Sequence, residues 1–61
     1  MKVEEIAKKV GVSSPTFRKW IYRNEDFLKQ NKIVAIFKNG KRRTIRILDP
    51  EKLEQAFFER G

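Results

Sequence analysis

Hydrogen-bond donors that suit a polyanion form two clusters in this sequence. The first cluster combines hydroxyls, a phenol and cations, and it consists of Ser13, Ser14, Arg18, Lys19, Tyr22 and Arg23. The second surrounds an Asn-Gly pair and consists of Lys38, Lys41, Arg42 and Arg43. Such side chains donate to phosphate oxygens, and arginine can also make two parallel hydrogen bonds to the edge of a guanine. The chemistry that these two clusters predict is noncovalent binding of a polyanion.

Net charge favours the same interpretation. The chain carries +7 overall. Residues 17–46 hold ten Lys and Arg against two acidic residues, a net +8, while residues 1–16 carry +1 and residues 47–61 carry −2. A clustered positive charge in a small domain indicates nucleic acid as the partner. The alternatives are a solvated surface that only keeps the chain in solution, and an anionic membrane surface, which is disfavoured because the apolar faces are needed for a core.

Other function classes are disfavoured by composition. The 61 residues include no cysteine and no histidine, which removes disulfides, Cys-based zinc sites and the commonest general base. No nucleophile–base pair, metal cluster or phosphate-binding loop can be assembled. We therefore expect no catalytic residue, no metal, no cofactor and no enzymatic activity. No apolar run approaches the roughly 18 residues of a membrane span and no signal peptide is visible, so we expect the protein in the cytoplasm. A chain of 61 residues is expected to form a single domain over 1–61.

Two helices must position the first cluster. The helical spacing of Val3, Ile6, Ala7 and Val10 predicts a helix that ends at Gly11. A second helix follows from about Pro15 to Arg23 or Asn24, capped by Ser13 or Ser14, with three inward side chains: Phe17, Trp20 and Ile21. Together they predict a helix-turn-helix over about 3–23, with Arg18 in the middle of its outward face. The alternative is a helical hairpin that merely packs. Trp20 is expected in the core rather than as a base-stacking platform.

A hairpin over about 33–48 must position the second cluster, since Asn39-Gly40 lies between two apolar runs. A two-residue turn would pair Val34 with Ile45, and a three-residue turn with a glycine bulge would pair Ile33 with Ile45. Four cations within six residues repel one another, so their concentration favours contact with phosphates or entry into a minor groove over mere solubility. RNA is less favoured, because we expect no exposed aromatic platform of the kind that single-strand readers use.

The remaining segments complete a small α+β fold. Residues 24–32 read as a polar connector in which Phe27 and Leu28 close the core. Asp49 and Pro50 open a short C-terminal helix over about 50–60. Its acidic balance argues against contact with DNA.

The order of these elements resembles the MerR-like winged helix-turn-helix domains of excisionases and short MerR-type regulators. The resemblance covers nearly the whole chain and rests on EEIAKKVGVSSPTFRKW, NGKRRTIRI and DPEKL. It implies that the second helix enters the major groove of DNA and that the hairpin is a wing on the flanking backbone or minor groove. Thr16, Arg18 and Lys19 would then be groove and phosphate contacts, and Arg42 and Arg43 wing contacts. The chain departs from the family in a longer connector after Trp20 and in lacking the long dimerisation helix of full MerR regulators.

The expected function is therefore sequence-specific binding of double-stranded DNA, as an excisionase-like architectural factor in recombination or a small transcriptional regulator. We expect a monomer in isolation. The resemblance implies cooperative self-association on direct repeats and a recombinase as a further partner. Two alternatives stay open, the N-terminal DNA-binding domain of a larger recombinase or regulator and a basic adaptor that binds an acidic protein.

Overall fold

Four helices and one antiparallel hairpin make up residues 2–60, the part of the chain that the computed structural model describes. The elements are α1 (Val3–Val10), α2 (Ser14–Arg23), α3 (Glu25–Gln30), β1 (Val34–Asn39), β2 (Arg42–Ile47) and α4 (Pro50–Arg60). The predicted α+β class is confirmed. None of the four helices is long and apolar enough to cross a membrane.

Local signals in the sequence set the ends of three helices. Gly11 closes α1 in the left-handed region, at φ 84°. Ser13 caps α2, since its Oγ accepts a hydrogen bond from the Thr16 N–H at 3.4 Å, whereas Ser14 is already the first residue of that helix. Asp49 caps α4 by accepting from the Lys52 N–H at 3.2 Å. The predicted glycine stop and the predicted aspartate cap are both confirmed.

The connector after α2 contains the helix α3, whereas the sequence predicted only a polar connector with an apolar pair. Glu25 and Lys29 are one turn apart on α3 and their charged groups lie 3.5 Å apart. The larger contribution comes from tertiary packing, because Leu28 is fully buried and draws this turn onto the core. Lys32 then reverses the chain at φ 55°, and the Ile33 N–H returns to the Leu28 carbonyl at 2.9 Å.

The hairpin adopts neither predicted register. Ile36 lies opposite Ile45, Val34 lies opposite Ile47, and the turn residues are Gly40 and Lys41. Gly40 has φ 64°, and a glycine at the first central position suits a two-residue hairpin turn. The observed register also matches apolar residues across the strands, whereas the predicted two-residue turn would have set Ile36 against a cation. Packing against the core therefore outweighed the Asn-Gly turn signal.

One apolar core joins every helix to the inner face of the hairpin. Its buried side chains are Val3, Ile6, Ala7, Phe17, Ile21, Leu28, Ile33, Val34, Leu53 and Ala56. Trp20 is half-buried beside them, stacked on Phe17 with ring centroids 5.8 Å apart and edge-on to Phe57 at 5.1 Å. Trp20 is therefore part of the packing, as the sequence predicted. Its indole N–H is buried and has no acceptor within residues 2–60.

Replacement of Trp20 should separate its ring packing from its polar group. Trp20→Ala removes the contacts with Phe17 and Phe57 and should lower the free energy of unfolding by about 3 kcal/mol. Trp20→Phe keeps a ring in place and removes the unpaired N–H, so it should cost less than about 1.5 kcal/mol. Urea denaturation followed by circular dichroism measures both. Phe58→Ala is the control, since Phe58 is 66% exposed. Equal stability of Trp20→Ala and the parent would show that Trp20 is not a packing residue.

Candidate nucleic-acid interface

The rotation of α2 about its axis decides which of its side chains reach solvent. Phe17 and Ile21 are fully buried, and successive residues turn by about 100°. Lys19 is two positions from each of them and therefore lies on the side opposite the core. Arg18 directly follows Phe17, so it lies on the flank of the helix.

This geometry corrects the expected position of Arg18 in the middle of the outward face. The Arg18 Nη2 lies 3.5 Å from the Glu4 Oε1 of α1, and about half of the Arg18 side chain is exposed. An exposed ion pair of this kind contributes little to stability. The ion pair does turn the guanidinium of Arg18 toward the hairpin. The guanidinium therefore points away from the side of α2 opposite the core, where Lys19 lies, which we call the crest of α2.

A concave surface lies between this flank and the second strand. We call it the α2–β2 cleft; it has a volume of about 650 Å³ and is lined by Lys2, Val3, Glu4, Arg18, Phe37, Thr44, Ile45, Ile47, Arg43 and Arg46. Four of these residues are cations and one is a carboxylate. The cations come from the residue before α1, from α2 and from β2, which are distant in sequence. Folding thus gathers them into one positively charged concavity.

Tyr22 and Arg43 connect the two elements that the sequence proposed as a site. The Arg43 guanidinium carbon lies 4.6 Å from the centroid of the Tyr22 ring, a cation–π arrangement. Tyr22 is half-buried as a result rather than fully outward. The contact joins the second strand of the hairpin to α2.

The hydroxyls at the start of α2 have a structural task. The Ser13 Oγ donates to the Thr16 Oγ1 at 2.8 Å while it caps the helix. Ser14 is half-buried in the first turn. Ser13 and Thr16 remain exposed, so they can also face a ligand.

The cations of the hairpin divide over its two faces. Lys38 and Arg43 are partners across the strands and share the face of Ile36 and Ile45. Arg42 belongs to the opposite face, and Lys41 lies in the turn. All four cations are exposed, as is Arg23 at the end of α2. The second predicted cluster therefore surrounds the tip of the hairpin on both faces rather than forming a single basic patch.

Two of the four cleft cations, Lys2 and Arg46, were not predicted as site residues. Arg46 alternates with Ile45 and Ile47 along β2, and that pattern could have indicated an exposed cation beside the site. Lys2 gave no local signal, because only the packing of α1 against its neighbours brings it to the cleft. No described residue of α4 lines the cleft, in keeping with the acidic balance of that helix.

Comparisons with models of protein families, with curated protein sequences and with solved structures gave no significant match.

Removal of the cleft carboxylate should strengthen the binding of a polyanion. Glu4→Gln frees Arg18 and removes a charge that repels phosphate, so affinity for a short DNA duplex should rise about threefold at low salt. Glu5→Gln is the matched control, because Glu5 is an exposed neighbour in the same helical turn and does not line the cleft. Fluorescence anisotropy compares the two variants. Equal effects would mean that net charge alone matters and that the cleft has no special role.

Proposed function

We propose that this chain is a DNA-binding domain of the winged helix-turn-helix kind, with α2 in the major groove of double-stranded DNA and the hairpin as its wing. The observation that carries the proposal is the α2–β2 cleft, in which Lys2 and the cations of α2 and β2 converge on one concave surface. A site of this kind suits one phosphate backbone better than it suits a small anion. The excisionase-like or regulatory role expected from the sequence is the biological setting we favour.

The cleft would hold the DNA phosphate backbone that separates the major groove from the minor groove. Arg18 lies on its helix wall, and Arg43 and Arg46 lie on its strand wall. A phosphate backbone between these walls would be contacted from both sides. Such contacts position a protein on DNA without reading its sequence. They also release counterions, which makes the affinity depend on salt.

The crest of α2 would read the bases. The diameter of a helix with its side chains, about 10–12 Å, matches the major groove, which is about 12 Å wide. Lys19 is the side chain opposite the buried residues, and a lysine can donate to the O6 and N7 of a guanine. Arg23 lies one turn further on. Arg18, which the sequence had assigned to base contact, belongs instead with the backbone contacts of the cleft.

Substitutions should separate reading from positioning. Lys19→Ala should weaken binding to the preferred site by about 1–3 kcal/mol and leave random DNA nearly unaffected. Arg46→Ala should weaken both about equally and reduce the salt slope by about one unit. Lys52→Ala is the control, since it removes the same charge from an exposed position of α4 that does not line the cleft.

The preferred site for these measurements comes from selection of bound sequences in a random duplex pool. The arrangement of half-sites in the selected sequences also tests the expected direct repeats. If Lys19→Ala keeps full discrimination while Arg46→Ala loses it, the helix and the hairpin have been assigned to the wrong roles. Tight binding to an acidic protein without any duplex binding would favour the adaptor alternative.

Salt dependence tests the electrostatic part of the proposal. The four cleft cations together with Lys41 and Arg42 at the hairpin tip provide about six phosphate contacts. Counterion release then gives a slope of about −5 in a plot of log affinity against log salt. A titration of a labelled duplex at several salt concentrations measures it. A slope near zero would contradict the proposal.

A further inference from the structure

Phe37 is an exposed aromatic residue on the outer face of the hairpin. Its side chain is 56% exposed, and it lies opposite Thr44 on the face that points away from the core. The sequence predicted no exposed aromatic platform, and the structure contradicts that expectation. The reason is the alternation along β1, which places Ile36 inward and therefore Phe37 outward.

Phe37 differs from the other aromatic residues of the chain in having a free ring. Each of the others packs against a second ring or beneath a guanidinium: Phe17, Trp20, Tyr22, Phe27, Phe57 and Phe58. Within residues 2–60, no ring and no guanidinium stacks on Phe37. Its face is therefore available to a planar ligand.

Positive charge surrounds this ring. Arg42 and Arg46 are its diagonal neighbours on β2 and share its face, at roughly 7–8 Å in a two-stranded ladder, within reach of long side chains. Residues 34–47 contain five Lys and Arg and no acidic residue. A free aromatic face beside two guanidinium groups is the combination with which proteins bind unpaired bases, the ring stacking on the base and the cations contacting the backbone.

We propose that Phe37 stacks against an unpaired base of DNA, next to the strand that the α2–β2 cleft holds. The proposal rests on the proposed function, since Phe37 also lines that cleft together with Arg18 and Arg46. The chain would then prefer a duplex that continues into a single strand over a fully paired one. Stacking of one base on an aromatic side chain increases affinity by about tenfold.

The test uses one duplex in three forms. One form is blunt, and the other two carry a three-nucleotide single-stranded extension, at a 5′ end or at a 3′ end, that begins with the fluorescent base 2-aminopurine. The parent protein should bind one of the extended forms about tenfold more tightly than the blunt form. It should also quench the 2-aminopurine, because stacking on an aromatic ring changes its emission.

Three variants make the test specific to the ring. Phe37→Leu should lose both the preference and the quenching, so that it binds the extended and the blunt duplexes about equally. Phe37→Trp should keep both. Phe58→Leu should also keep both, because Phe58 is exposed as well but belongs to the acidic helix α4. Circular dichroism confirms that each variant is folded.

Two failures can be told apart. If the parent binds the blunt duplex but shows neither preference nor quenching, or if Phe37→Leu retains them, the stacking proposal is wrong and the duplex-binding proposal stands. If the parent binds no form of the duplex, the proposed function itself fails.

Discussion

Burial of Phe17 and Ile21 fixes the rotation of α2, and the arrangement of charges around that helix depends on this. Both side chains are fully buried, and the loss of either contact would cost a small domain a large share of its stability. With these two residues inside, Lys19 must point outward and Arg18 must lie on the flank. Tyr22 then comes close enough for the guanidinium of Arg43 to cover its ring. The core thus positions the cations without including any of them.

The hairpin is subject to a different constraint. A two-stranded sheet has little stability of its own in water, so one of its faces has to pack on a core. Val34 is buried in the core, and Ile36, Ile45 and Ile47 pack against the core from the same face. None of the core residues lies on the outer face, and this is the face that carries Phe37 and two arginines. Its residues can therefore serve binding without loss of packing.

Sequence patterns predicted the elements whose signals are local. Glycine and aspartate at the helix ends, together with helical spacing of apolar residues, predicted α1, α2 and α4. The errors arose where tertiary packing decided the outcome. Burial of Leu28 made the connector helical, and pairing of Ile36 with Ile45 overrode the turn signal. The error at Arg18 is of another kind, because helical spacing from the inward Phe17 and Ile21 already places Arg18 on the flank. The arrival of Lys2 at the cleft also has no local signal, because residues far apart in sequence form that surface.

The most direct test of the central claim is an NMR titration of the ¹⁵N-labelled protein with a DNA duplex. If the α2–β2 cleft and the crest of α2 form the interface, the largest amide shifts should map to Lys2, Arg18, Lys19 and residues 43–46. The amides of α4 between Glu51 and Glu59 should change little. Largest shifts in α4, with the cleft unaffected, would contradict the account.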